Sequence, residues 1–402
     1  VKTARIVIGS NFGDEGKGLM TDYFAGEAQA VFRFNGGAQA GHTVVTPEGQ
    51  RHVFSHFGSG SFRDVPTFLG WDFVVNPMNF RTERLALMDN FGLSPLIYVD
   101  PRALVTTPWD VMLNQFAEAA RGDDRHGSVG IGFGETIERC INNYPTRVHN
   151  LGYLSSASLA RIRQEWVPKR AAALGFTLTE EQRETVMNDK ILYRFMEDAD
   201  HFLSMVEQSI ESQFLDMHET VVFEGAQGLM LDQDYGSFPN VTRSNTGLKN
   251  VTKILKRLET APESLEAVYL TRTYLTRHGA GPMPGELPEK PYEAIVDPTN
   301  INNAWQGSLR FAALDLDLTA GFINRDIETH RGDFRIIPKI GLTCCDQVPE
   351  SFDIFRGDIL SGGQIVQTGV EELFRDLCLA TGAQSGYMSF GPTRNDVIRR
   401  NS

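Results

Sequence analysis

The chain has 402 residues and a formal net charge of −13; that length calls for one large elaborated domain or two fused ones. The acidic balance opposes a long nucleic-acid backbone but is compatible with a locally basic pocket for a single nucleotide. No apolar run is long enough to span a membrane, no signal-peptide pattern is present, and Cys140, Cys344, Cys345 and Cys378 lack CxxC spacing; together these point to a cytoplasmic protein with reduced thiols and no zinc.

In chain order, the first apolar run is Arg5–Gly9. It breaks into Ser10-Asn11-Phe12-Gly13-Asp14-Glu15-Gly16-Lys17-Gly18 and resumes as Leu19-Met20-Thr21-Asp22-Tyr23-Phe24. That is the pattern of strand, loop and helix. The glycines let backbone N–H groups face a phosphate, the helix N-terminus adds its positive end, and Lys17 adds a point charge. A full P-loop signature needs glycine where Asn11 stands. Asp14 is costly inside an anion cradle unless it holds Mg²⁺ or moves a proton. The loop therefore predicts chemistry on a phosphorylated substrate.

Further short runs follow at Ala30–Phe34, Thr67–Leu69, Leu96–Val99, Thr220–Phe223, Ala267–Leu270 and Ile336–Leu342. Most are continuous and bounded by turn residues, as strands buried on both faces are. Helical patterns lie between them. Thr107-Pro108 opens one through Trp109–Arg121, with Thr107 as N-cap and Pro108 at the first position. Ser158–Leu174 and Ala199–Met217 read as longer amphipathic helices. The alternation predicts an α/β fold: a largely parallel central sheet flanked by helices, P-loop-like, with a helical insertion over about 151–217.

Four more segments carry candidate chemistry. Arg33-Phe34-Asn35-Gly36-Gly37-Ala38-Gln39-Ala40-Gly41-His42-Thr43 follows the second strand, so it is expected at the same sheet edge as the first loop, where ligands of open α/β sheets gather. His42 there is a candidate acid or donor to a leaving oxygen. Gly127-Ser128-Val129-Gly130-Ile131-Gly132-Phe133-Gly134 is a second candidate anion loop, although a plain surface loop explains it equally well. Phe223-Glu224-Gly225-Ala226-Gln227-Gly228 delivers Gln227 at the end of a strand, where an amide that donates and accepts can read a purine edge or a ribose. Thr276-Arg277-His278-Gly279-Ala280-Gly281-Pro282-Met283-Pro284-Gly285-Glu286 is dense enough in Gly and Pro to be a rigid loop.

Taken together these segments resemble the adenylosuccinate synthetase family. GDEGKG, GG-x-x-AGHT, FEGAQG, VT-x-SNT and TR-x-GAGP-x-P-x-E occur in the family's order over about residues 1–290, and Gly391-Pro392-Thr393-Arg394 resembles the family's GPDR. The resemblance implies a Mg²⁺-dependent ligase that joins L-aspartate to C6 of a 6-oxopurine nucleotide, IMP in the ordinary case. GTP first phosphorylates O6, and the amine then displaces that phosphate. It implies a single domain over 1–402, a nucleobase-binding part over about 336–402, and a homodimer.

The resemblance also assigns residues. Asp14, His42 and Lys17 would be catalytic, with Asp14 taking the N1 proton. Asn11, Gln39, Ser128, Val129, Gln227, Thr242 and His278 would hold the purine nucleotide. Gly13, Glu15, Gly16, Lys17, Gly18, Gly41, Thr43, Asp346, Ser389 and Gly391 would hold the triphosphate. Asp14 and the Gly41 carbonyl would bind Mg²⁺, and Asn303, Gln306, Ser308 and Arg310 the amino acid.

The departures from the family pattern bear on substrates. The family's arginine-rich aspartate loop is replaced by Thr299–Phe311, in which Arg310 alone is cationic; a dicarboxylic amino acid normally meets bidentate arginines. The family's TKxD reads Thr343-Cys344-Cys345-Asp346, so Asp346 favours GTP while the lost lysine leaves ATP or dATP open. Gln39 and His278 replace an asparagine and a small apolar residue, which points to an altered ribose pocket. Bacteriophage members show similar departures, and some of them convert dGMP to a succino-2-aminoadenine deoxynucleotide. Several of those carry serine in place of the loop acid. Asp14 is retained here, which favours IMP, with dGMP as the alternative.

Two other classes fit the sequence less well. A GTPase switch needs Ser or Thr after the lysine, where Gly18 stands. A non-catalytic nucleotide-binding regulator would be signalled by loss of Asp14, Lys17 or His42, and all three are present.

Overall fold

The computed structural model describes residues 1–299, 307–357 and 362–402. Its centre is a sheet of ten strands: β1 (Thr3–Gly9), β2 (Ala30–Arg33), β3 (Thr67–Leu69), β4 (Ile97–Val99), β5 (Glu207–Gln208), β6 (Thr220–Gly228), β7 (Ser264–Arg272), β8 (Arg335–Thr343), β9 (Ser385–Ser389) and β10 (Val397–Asn401). The spatial order is β10-β9-β8-β7-β1-β6-β2-β3-β4-β5. Every neighbouring pair is parallel except β9 with β10, which is antiparallel at one edge. The expected largely parallel sheet is therefore present, and all seven apolar runs read from the sequence are strands in it.

The apolar composition of these strands follows from burial on both faces. In β1, Ile6 and Ile8 pack into the large core with Phe32, Phe223, Tyr269 and Ile340. Val7, between them, points to the other face, where helix α1 (Lys17–Ala25) lays Leu19, Met20 and Phe24 against it. A separate core joins the helical region to the sheet through Phe54, Phe80, Trp109, Trp166, Phe195 and Phe202.

The helix expected after Thr107 spans Pro108–Arg121. The Thr107 N–H and hydroxyl both donate to the Asp110 carboxylate, at 2.7 and 2.9 Å. Ser158–Leu174 is helical with an interruption. A π turn at Ile162–Trp166 separates Ser156–Arg161 from Val167–Ala173. Pro168 explains it, since its ring nitrogen cannot donate to the preceding turn. Ala199–Met217 is not one helix. Asp189–Met205 ends, β5 pairs with the exposed edge of β4, and Glu211–Asp216 follows. The unpaired backbone of the sheet edge overrides local helical preference there.

A second, smaller sheet has no apolar run to announce it. Arg310–Asp315 pairs with Tyr274–Arg277, Glu286–Leu287 and Phe352–Arg356, and Gln364–Thr368 closes it. His42–Val45 and Arg51–Phe54 form a hairpin that crosses α1. Among the described residues, no helix is long and apolar enough to cross a membrane.

Candidate active site

The loops that leave β1, β2, β6, β7 and β8 emerge at the carboxyl end of one parallel sheet, where α/β proteins place their ligands. The first of them carries a chain of positive φ angles, at Gly13 (99°), Asp14 (65°) and Gly16 (87°). Asp14 is the only one of these with a side chain, and such a conformation costs free energy in a residue other than glycine. The loop turns its amides inward. The N–H groups of Asn11 and Gly13 donate to Glu15 Oε1 at 3.0 and 2.8 Å, and Lys17 Nζ donates to Oε2 at 2.8 Å. The Glu15 carboxylate is thus itself an anion held by backbone amides and a lysine. Glu15 and Lys17 are both buried. A carboxylate accepts only, so the Glu15 side chain shapes the cradle rather than donating to a phosphate.

Asp14 sits beside Arg272 and His278. Arg272 Nε donates to the Asp14 carbonyl at 2.5 Å, and His278 Nε2 lies 3.9 Å from its Oδ2. Burial pushes the Asp14 carboxyl above the usual range, and Arg272, His278 and Lys17 partly pull it back. Arg272 also reaches Asp297 at 3.1 Å and the Tyr274 hydroxyl at 3.3 Å.

His42 lies on the hairpin strand beside α1. Gly18 permits that approach, because a Cβ there would stand 2.4 Å from the Thr43 carbonyl oxygen. His42 Nδ1 is 2.6 Å from Glu224 Oε1. Glu224 also takes the Ser59 N–H at 3.1 Å and the Ser59 hydroxyl, with Arg33 Nε at 3.9 Å. Although burial pushes the Glu224 carboxyl up, Arg33, His42 and Ser59 hold it at about 2. Burial lowers His42 to about 4 against the pull of Glu224. The ring is therefore neutral near pH 7, with its proton on Nδ1 facing an acceptor-only carboxylate. Its Nε2 is buried with no partner among the described residues.

The amides expected at the purine nucleotide behave in two ways. Both side-chain polar atoms of Gln39, and Gln227 Oε1, are buried without partners among the described residues. Gln227 holds φ of 58°, and Asn35 clamps the strand end before it through the Ala226 N–H and C=O. Asn11, by contrast, is already engaged on both sides. It accepts from the Thr271 hydroxyl at 2.7 Å and donates to Thr319 at 2.9 Å. Thr242 N–H donates to the Leu231 carbonyl at 2.8 Å. The segment with Ser128 and Val129 packs against the His278 loop, with Ala280 N–H donating to the His126 carbonyl at 3.1 Å. Ser128 Oγ accepts from Asn114 at 2.8 Å, and His278 Nδ1 is buried and unpartnered.

At the end of β8, the Thr343 hydroxyl donates to the Glu15 carbonyl at 3.1 Å, which ties this strand to the first loop. Asp346 follows on an exposed turn. Ser389, at the end of β9, donates to the Gly391 carbonyl at 2.6 Å. Thr43 Oγ1 lies 2.9 Å from Thr299 Oγ1, which also accepts from Arg51 at 2.7 Å. Asn303 and Gln306 lie outside the described residues, and Ser308 is exposed. Arg310 is heavily engaged: it grips Glu286 with Nε (2.7 Å) and a second nitrogen, and donates to the carbonyls of Gly279 and Gly281 at 2.9 and 3.0 Å. Arg139 is wholly buried against Asp110, at 2.8 and 2.9 Å.

Sequence reasoning missed Glu224 and Arg272 as members of this site. The signal for Glu224 was present, as a carboxylate inside an apolar strand, which is seldom buried unpaired. Arg272 closes a strand and carried no such mark.

The sequence model of the adenylosuccinate synthetase family matches residues 6–303. The adenylosuccinate synthetase of Bacteroides fragilis is 32% identical over 296 residues, covering 72% of this chain and 67% of that protein. That of Clostridium beijerinckii is 34% identical over 301 residues, covering 71% and 66%. These matches span about two thirds of the relatives' length. Among solved structures, a fully ligated adenylosuccinate synthetase from Plasmodium falciparum shares the fold over 99% of both chains, with a TM-score of 0.76 and 17% identity. The succinoaminodeoxyadenylate synthetase of cyanophage S-2L, bound to dGMP and to dATP as energy donor, shares it over 100% of this chain and 96% of that one, with a TM-score of 0.62 and 17% identity. The chain belongs to the adenylosuccinate synthetase family, a family of C–N bond-forming ligases.

Proposed function

We propose that the protein condenses L-aspartate with C6 of IMP, using GTP and Mg²⁺, through a 6-phosphoryl intermediate. The observation that carries this is the buried pair of a neutral His42, with Nε2 unpartnered, and an ionised Glu224, on a strand neighbouring the Asp14 loop. Asp14 takes the N1 proton, so that O6 becomes nucleophilic and attacks the γ-phosphorus, and the nucleoside diphosphate leaves. Lys17 offsets the charge of the phosphoryl group in transfer. A phosphoryl anion beside His42 favours the protonated ring, whose Nε2–H then donates to a phosphoryl oxygen. The neutral aspartate amine attacks C6, the C6–O bond breaks, and phosphate leaves with the proton that the amine gives up.

Among the described residues no group of three or more His, Cys, Asp or Glu side chains is placed to hold a metal. Asp14 and the Gly41 carbonyl nevertheless suit Mg²⁺, which takes hard oxygens and few protein ligands beside phosphates and water. Bound there, Mg²⁺ would neutralise charge across the transferring phosphates. Asp346, Ser389 and Gly391, after β8 and β9, suit the base of the triphosphate. The family supports a homodimer in the cytoplasm.

A second reading has dGMP as acceptor and dATP as donor. It rests on the likeness to the cyanophage enzyme over the whole chain and on the unpartnered atoms of Gln39 and His278. A substrate matrix separates the two: IMP, GMP or dGMP against GTP, ATP or dATP, with aspartate and Mg²⁺, read by phosphate release and product mass. Adenylosuccinate from IMP with GTP is expected. Faster turnover of dGMP transfers the assignment to the second reading, and no phosphate release from any pair leaves a nucleotide-binding regulator.

A further inference from the structure

A polar cavity of about 560 Å³ lies between the last turn of α1, the segment around Arg63, and the β9–β10 hairpin. Four guanidinium groups line it, those of Arg5, Arg63, Arg394 and Arg399, with Tyr23 and Tyr387. Two of the four are spoken for. Arg5 donates to Glu266 at 2.6 Å, lies 3.5 Å from Glu27, and stacks 4.3 Å over the Phe24 ring. Arg394 meets the buried Asp22 at 3.1 Å and Glu48 at 3.8 Å.

The side chains of Arg63 and Arg399 make no hydrogen bond or close ion pair among the described residues, although the Arg63 charge acts on Asp22 and that of Arg399 on Tyr387. Arg399 stands directly opposite Tyr387 in the antiparallel hairpin. The Tyr387 ring packs 5.8 Å from Tyr23 and 5.0 Å from Phe24. Four guanidiniums and one carboxylate, that of Glu27, thus line one cavity in a chain of net charge −13. Gathering like charge in this way is unfavourable unless an anion completes it. The C-terminal end of α1 adds no attraction for an anion, so the arginines supply all of it.

We infer that this cavity is a second anion site, which takes a phosphate or diphosphate group, free or carried on a small molecule, between Arg63 and Arg399. Planar guanidinium forks match phosphate oxygens two at a time, and the phenol of Tyr387 is placed to add a donor. The site is separate from the nucleotide loop. Helix α1 has 9 residues and so puts roughly 13 Å between Lys17 and the cavity end of the helix.

Calorimetric titration with inorganic pyrophosphate tests this on the full chain. Lys17→Ala weakens the share bound at the nucleotide loop and is expected to retain one further equivalent. Arg63→Ala with Arg399→Ala, in that background, is expected to weaken this equivalent roughly 10- to 100-fold. Arg63→Lys with Arg399→Lys keeps the charge and is expected to recover part of it. A parallel arm with AMP tells a nucleotide-borne phosphate from the free anion, and binding of either supports the site. No binding of either to the Lys17→Ala protein overturns the inference. So does binding unchanged by loss of both arginines, or a double variant that separates subunits while binding pyrophosphate normally, since that marks an interface instead.

Discussion

Nδ1 of His42 and Oε1 of Glu224 stand 2.6 Å apart, with the two side chains 5% and 0% exposed. An ionised carboxylate held that close accepts from the ring, so it decides which imidazole nitrogen carries the proton and which is left for chemistry. The two residues are 182 positions apart in sequence, and the parallel pairing of β6 with β1 and β2 brings them together.

Glu224→Gln should separate orientation from binding. A glutamine carries no charge, so it no longer stabilises the protonated ring beside the phosphoryl group. We expect kcat to fall roughly 10²- to 10⁴-fold with little change in the KM of either nucleotide. Steady-state kinetics beside a thermal melt checks this, and near-normal kcat in a folded variant would remove Glu224 from the mechanism.

Asp14→Asn keeps the size and backbone strain of the loop and removes the base. Turnover should fall ~10²- to 10⁴-fold, and further where Mg²⁺ binding is lost, while purine nucleotide still binds. Equilibrium binding of IMP measured beside phosphate release distinguishes this from a collapsed loop.

The pH dependence has two parts. Asp14 acts as a base only when ionised, and burial raises its pKa, so kcat/KM should fall on the acid side at a pH above the ordinary carboxylate range. His278→Ala removes one of the groups that oppose this rise and should move that limb higher. Stability follows His42, whose folded value of about 4 lies below the ordinary 6.5. Between those values the unfolded chain binds more protons, so stability is complete above pH 6.5 and is lost as pH falls toward 4. His42→Gln should flatten the melting temperature between pH 7.5 and 4.5; parallel slopes in variant and wild type would show that His42 is not depressed.

Two glycine substitutions should act with opposite sign. Gly18→Ala drives a methyl into the Thr43 carbonyl, 2.4 Å away, and should destabilise by about 1–3 kcal/mol. Gly321, inside the helix Leu316–His330, meets nothing within 4 Å, so Gly321→Ala should stabilise by about 0.5–1 kcal/mol. Chemical denaturation reads both.

Arg310→Ala frees Glu286 and the carbonyls of Gly279 and Gly281 together. Because that loop carries His278, we expect KM for the purine nucleotide to rise several-fold along with that for aspartate. A rise confined to aspartate would make Arg310 a direct ligand of the amino acid and leave its grip on the loop without consequence.

Strands buried on both faces cannot alternate, so Arg5–Gly9, Thr220–Phe223 and Ile336–Leu342 stood out as apolar runs. The first loop was legible as a candidate phosphate site because close backbone approach demands glycine and charge demands lysine, side by side in the chain. The polar second sheet was not legible, since strands such as Tyr274–Arg277 and Glu286–Leu287 take their place from pairing rather than from apolar pattern. Nor was the state of each side chain. Asn11 and Arg310 look available in the sequence, yet the first is taken by Thr271 and Thr319 and the second by Glu286. The motifs of the sequence by themselves carried the resemblance to the family, and that resemblance implied the nucleotide chemistry and Asp14, Lys17 and His42 as its candidate carriers. Tertiary structure decided that Glu224 backs His42, that Arg272 and His278 flank Asp14, and that Arg63 and Arg399 face one cavity. Those relations depend on distances across the fold and on the low dielectric that burial creates, and neither is written along the chain.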